Sequence, residues 1–129
     1  MDERAVWLDS HEARIFHIDG ERFDETTLHS PARHLHRHPK KQELGAHDHP
    51  DDERHFFEEV AGALTGTGPI LILGPSMAKL HLLRYLQKHA PTLESRVVGV
   101  ETVDHPSDRQ IVAHVRHYFH ALEQVPAAR

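Results

Sequence analysis

Apolar and polar positions alternate at the start of the chain and then change period. AVWLDS (5–10) and EARIFHID (12–19) read as strands. In the second, Ala13, Ile15 and His17 alternate with Arg14, Phe16 and Ile18, so each set lies on one face of an extended chain. Asp9-Ser10-His11 between the two is turn-like, and Asp19-Gly20 is a strong hairpin signal, because both residues accept the backbone angles a tight hairpin needs. A third strand from Glu21 to Leu28, with Phe23 and Leu28 facing inward, completes an antiparallel meander.

From Pro50 the period becomes helical. Pro-Asp-Asp-Glu precedes Phe56, Phe57, Val60, Ala61 and Leu64 at helical spacing. A proline in the first turn forfeits no hydrogen bond, and acids there match the helix dipole. Gly66 and Gly68 end this helix. PILILG (69–74) is a nearly continuous apolar run, the pattern of a strand covered on both faces. Gly74-Pro75-Ser76 turns into a second helix, with Ser76 as its N-cap and Met77, Leu80, Leu83 and Leu86 on one side. RVVGVETV (96–103) is another strand of the buried type. Ser107, followed three residues later by Gln110, makes a capping box. It opens a third helix that buries Ile111, Val112, Val115, Phe119 and Leu122. The order β-β-β-α-β-α-β-α implies an α/β fold, a mixed sheet carrying helices, with the last two strands parallel through a right-handed crossover. Residues 1–125 read as one domain, interrupted by a mobile loop at about 30–49 and followed by a frayed tail, 126–129.

Composition narrows the function classes. The chain has 129 residues, 38% hydrophobic and 27% charged, a globular balance large enough for one core. No apolar run approaches the roughly 18 residues of a membrane span. The acidic opening MDERAVWLDS lacks the layout of a signal peptide, so the expected location is cytoplasmic. There are no cysteines, hence no disulfide framework and no thiolate metal site. The formal charge of −5 is soft, because 15 histidines titrate near pH 6.5 and roughly a quarter of them are protonated at pH 7. Affinity for a polyanion therefore has to come from a local patch.

Four constellations carry candidate chemistry. The turn Gly74, Ser76 and Lys79 resembles a helix-start anion site, although it is no Walker loop, and close packing at Gly74 explains it better. Asp9, Glu101 and Asp104 stand at strand ends. Converging carboxylates there could hold Mg²⁺ for phosphodiester hydrolysis, but turns also favour aspartate. His29, His34, His36, His38, His47 and His49, with His55 beyond, could gather a transition metal. Set among Pro31, Pro39 and Pro50, they suit adventitious binding better than a closed shell, and no cofactor is implied. Finally, Arg33, Arg37, Lys40 and Lys41 lie between Pro31 and Lys41 without one acid, a segment suited to an RNA phosphate backbone.

LDSHEARIFHIDG (8–20), the basic loop, DDERHFFEEVAGAL (51–64), ILILGPSMAKLHLLRYL (70–86) and RVVGVETVDHPSD (96–108) together resemble the small bacterial translational machinery proteins. They are also similar to the middle domain of the eukaryotic and archaeal peptide-chain release factor and of Pelota. The D-x-x-x-A-x-I-F opening and the strand-G-P-x-x-x-K turn carry most of that likeness, which spans nearly the whole chain. It implies a three-layer α/β/α fold around a mixed five-stranded sheet, related to ribonuclease-H-like and ribosomal S11- and L18-type proteins. It also implies association with the ribosome, or with tRNA or rRNA. In the release factor the loop after the third strand carries Gly-Gly-Gln for peptidyl-tRNA hydrolysis. Here HRHPKKQELGAHDHP holds only Gln42, without the glycine pair, so the resemblance implies binding rather than catalysis.

Overall fold

The computed structural model describes residues 2–30 and 50–123. The basic, histidine-rich stretch 31–49 and the tail from 124 lie outside them, and with them the expectations placed there. Five strands form one mixed sheet: β1 (Asp2–Leu8), β2 (Glu12–Asp19), β3 (Arg22–His29), β4 (Ile70–Gly74) and β5 (Val97–Thr102), in the order β3-β2-β1-β4-β5. β1, β2 and β3 pair antiparallel, whereas β1–β4 and β4–β5 are parallel. The helices are α1 (Pro50–Ala63), α2 (Ala78–His89), a single turn α3 (Pro91–Glu94) and α4 (Asp108–Glu123).

Strand alternation sorts the core into two halves. Val6, Leu8, Ala13, Ile15, Ile70 and Ile72 face α1 and α2, where they meet Phe56, Phe57, Val60, Leu64, Leu82 and Leu86. Ala5, Trp7, Phe16, Ile18, Leu71 and Leu73 face α4 and meet Ile111, Val112, Val115 and Phe119. The result is the expected α/β/α sandwich, with β1 and β4 buried on both faces. Burying each of these large side chains stabilises the fold by roughly 1.5–3 kcal/mol before chain entropy is counted.

Four local expectations are corrected, the first being that β5, read as a strand of the buried type, is an edge strand of partial burial with Val98 exposed. Phe23 and Leu28 are five residues apart on one strand, so they point to opposite faces. Leu28 packs against the α1 side, while Phe23 tilts against Phe16 near the free edge and stays 39% exposed. α2 begins at Ala78 rather than directly after Ser76; Met77 occupies the cap position and no side chain caps the helix. That rotates the buried stripe: Lys79, Leu82 and Leu86 are buried, whereas Met77 and Leu80 are exposed. Leu122, in the last turn of α4, is also exposed. The capping box is present as expected, with Ser107 N–H donating to Gln110 Oε1 at 2.9 Å and Gln110 N–H to Ser107 Oγ at 3.2 Å.

Gly74 ends β4 where that strand closes on β1. A Cβ at this position would collide with the Leu8 carbonyl oxygen, a backbone atom that cannot swing aside. Gly74→Ala is therefore expected to lower stability by roughly 1–3 kcal/mol, the range for overpacking, read as a fall in the urea midpoint with an unchanged slope.

Candidate functional site: the carboxyl edge of the sheet

Because β1, β4 and β5 run parallel, their C-terminal ends share one edge with the β1–β2 turn and the end of β3. Two of the sequence-derived constellations come to this edge. Asp9 follows β1, and its Oδ1 accepts the backbone N–H groups of His11 and Glu12 at 2.8 and 2.9 Å. Burial opposes the charge on Asp9, but these donors, with His105, outweigh it and hold the carboxyl below its ordinary value. Its Oδ2 lies 3.5 Å from His105 Nε2, while His105 Nδ1 lies 2.9 Å from Asp104 Oδ1. Glu101 Oε1 instead meets His114 Nε2 at 2.6 Å. The three carboxylates thus serve a turn, a loop and a helix. Among the described residues no group of three or more histidines and acids is arranged to hold a metal ion, the convergence a metal-dependent phosphodiesterase reading of Asp9, Glu101 and Asp104 requires.

The Gly74, Ser76 and Lys79 turn is built mainly for packing. Gly74 lies against the Leu8 backbone. The Lys79 side chain is buried and its Nζ donates to the Ser76 carbonyl at 2.8 Å. The lysine therefore closes its own turn instead of reaching outward.

Sequence reading missed the two residues that organise this edge, Trp7 and Arg14. Trp7 is fully buried on β1, and its Nε1–H donates to the Asp104 carbonyl at 2.7 Å. The Arg14 guanidinium sits 4.4 Å from the Trp7 ring centroid, close enough for a cation–π attraction. It donates to Asp108 Oδ1 at 2.8 Å and to the Pro106 carbonyl at 3.1 Å. Both clamp the loop between β5 and α4. His105 rests edge-on against Trp7 with ring centroids 5.0 Å apart. A tryptophan in an apolar run and an arginine in a polar register position give no sign in the sequence that they meet residues more than ninety positions away.

The clamped loop borders an open cleft of about 490 Å³. Buried Leu73 and Ile111 form its floor, with Asp104, His105, Gln110 and His114 among the residues around it. Strand-end crevices of this kind are where open α/β sheets bind ligands.

No family model matches the chain, and no curated protein does. Solved structures do match. The chain shares its fold with part of archaeal Pelota. Against Pelota of Archaeoglobus fulgidus the TM-score is 0.63 at 15% identity, over 90% of this chain and 31% of that one. Against Pelota of Thermoplasma acidophilum it is 0.63 at 21%, over 90% and 32%. An archaeal translation termination factor gives 0.58 at 14%, over 95% and 41%. The chain thus spans about a third of the length of Pelota, and the likeness is one of fold.

Charge at the edge makes stability depend on pH. The hydrogen bond to Asp104 raises the His105 pKa above its usual 6.5; slight burial opposes this, and Asp9 adds to the rise. A raised folded value means that the stabilisation is complete below the unfolded value and is lost as pH climbs through the folded one. Asp9, being depressed, contributes above its usual 3.8 and loses that contribution as pH falls through its folded value. The His105 imidazole should therefore titrate above 6.5 by NMR and fall back toward 6.5 in Asp104→Asn. Separately, Arg14→Met should cost about 1–3 kcal/mol in urea unfolding, since it strips a charged hydrogen-bond donor from Asp108 and Pro106.

Proposed function

We propose that the chain is a noncatalytic module of the translation machinery, akin to the small bacterial translational machinery proteins, that holds RNA of the ribosome or of tRNA by its phosphates. The observation that carries this reading is the acid-free run of Arg33, Arg37, Lys40 and Lys41, joined to a Pelota-like fold. The run follows Ser30, a buried residue whose N–H donates to the His11 carbonyl at 2.8 Å. β3 thus ends at the carboxyl edge, and the basic segment follows it in sequence. Four cations without intervening acids suit a phosphate backbone, and His34, His36 and His38 add charge as pH falls. The release-factor-like Gly-Gly-Gln is absent from the sequence, which favours binding over peptidyl-tRNA hydrolysis. The termination factor among the structural neighbours supports the translation setting.

Sedimentation of cell lysate through a sucrose gradient tests the reading. The protein should travel with ribosomal particles at low salt, and the variant with Arg33, Arg37, Lys40 and Lys41 replaced by serine should stay at the top. With a single-stranded RNA oligonucleotide, log K against log salt should slope by about −0.7 per phosphate neutralised, near −3 for four contacts. A slope unchanged in the serine variant would show that the arm does not make these contacts.

A further inference from the structure

We propose that the cleft between the β5–α4 loop and α4 is a binding site for an unpaired nucleobase, presented by RNA that the chain holds elsewhere by its phosphates. The inference deepens the RNA-binding reading and rests on it for the source of the base. Size comes first: about 490 Å³ falls within the range of small-ligand sites and admits a flat heterocycle. Its floor is apolar and rigid, because Leu73 and Ile111 are fully buried core residues of β4 and α4. Pro106 and Val103 add further apolar lining.

The polar groups select among ligands. Gln110 uses its Oε1 to accept the Ser107 N–H, which fixes the amide and leaves its NH₂ to donate. Asp104, whose side chain is exposed at the border of the cleft, uses Oδ1 toward His105, leaving Oδ2 to accept. A donor and an acceptor beside a flat apolar floor match the Watson–Crick edge of a base, which carries both. Charge disfavours the other end of a nucleotide. Asp104 lines the cleft, Glu101 pairs with lining His114, and Asp9 pairs with lining His105. Asp104 is the acid among the lining residues, and its carboxylate disfavours a phosphate group more than a neutral base. His105 is steadied by Trp7 and by two carboxylates, so it offers a held aromatic ring for stacking, the common way proteins hold unpaired bases.

The cleft also lies near the root of the basic segment. Ser30 bonds to His11, His11 donates to Asp9, and Asp9 contacts His105 at the cleft.

The test uses adenosine, guanosine, cytidine and uridine, which carry no phosphate, with inorganic phosphate as a separate probe. In NMR titrations of the full chain, at least one nucleoside should shift the amides of Asp104, His105, Gln110 and Ile111 saturably, and phosphate should not. Gln110→Glu keeps the oxygen that accepts Ser107 N–H, so the capping box survives, but it removes the amide donor and adds a negative charge. It should weaken nucleoside binding by roughly tenfold while the urea midpoint stays unchanged. With an RNA oligonucleotide, removing one base at the preferred position should weaken binding by roughly tenfold, within the range of a single stacked base. If no nucleoside shifts these amides, or if Gln110→Glu binds as the parent does, the cleft proposal is overturned. RNA binding that persists in those cases leaves the phosphate reading standing. Nucleoside binding without any RNA binding would do the reverse, keeping the cleft and removing the RNA source.

Discussion

Strand β1 is hydrogen-bonded on both sides and covered on both faces. Its neighbours run in opposite senses, β2 antiparallel and β4 parallel. Its side chains supply Val6 and Leu8 to one half of the core and Ala5 and Trp7 to the other. From Ala5 to Leu8 the strand is buried, so its backbone groups there need protein partners. The pairing with β4 is close enough that Gly74 tolerates no Cβ against the Leu8 carbonyl. The chain also has to leave this crowded position at once after Leu8. Asp9 manages the exit by accepting two backbone N–H groups from the turn.

The same constraint builds the edge. Trp7 is buried among Leu71, Leu73 and the α4 residues, where its indole N–H needs an acceptor. It finds the carbonyl of Asp104, which fixes the height of the β5–α4 loop. Arg14, on the neighbouring strand and the same face, covers the indole and donates to the Pro106 carbonyl and to Asp108, the first residue of α4. A loop of five residues, 103–107, is thus held by two side chains from the other end of the chain. The cleft beside it follows from that clamping, since α4 starts where the loop allows.

Much of this was legible in residue pattern. Period-two alternation in EARIFHID gave both faces of β2, and the apolar run ILIL correctly implied a strand buried on both sides. The capping box placed the start of α4 because Ser107 and Gln110 have few other reasons to be three apart at an apolar run. The phase of α2 was not legible. Met77, Leu80, Leu82, Leu83 and Leu86 crowd its first three turns, so two overlapping apolar stripes fit, and a shift in the helix start decides between them. Burial of Lys79 follows from its bond to Ser76, a contact that reading it as an outward anion ligand hides. Nor was the clamp legible, because period and spacing carry no information on pairs such as Trp7 and Asp104.

The edge also explains why carboxylates at strand ends need not mean a metal. A cation site requires acids that face one another with few competing donors, so that the ion relieves their repulsion. Here each acid already has a local donor: backbone N–H groups for Asp9, and imidazoles for Asp104 and Glu101. The depressed Asp9 and raised His105 values are the electrostatic record of that pairing. An ion entering would have to break these bonds before forming its own. What remains for a ligand is the part of the edge that pairing leaves free: one amide NH₂, one carboxylate oxygen and an apolar floor. Those groups favour a neutral flat molecule over a bare ion.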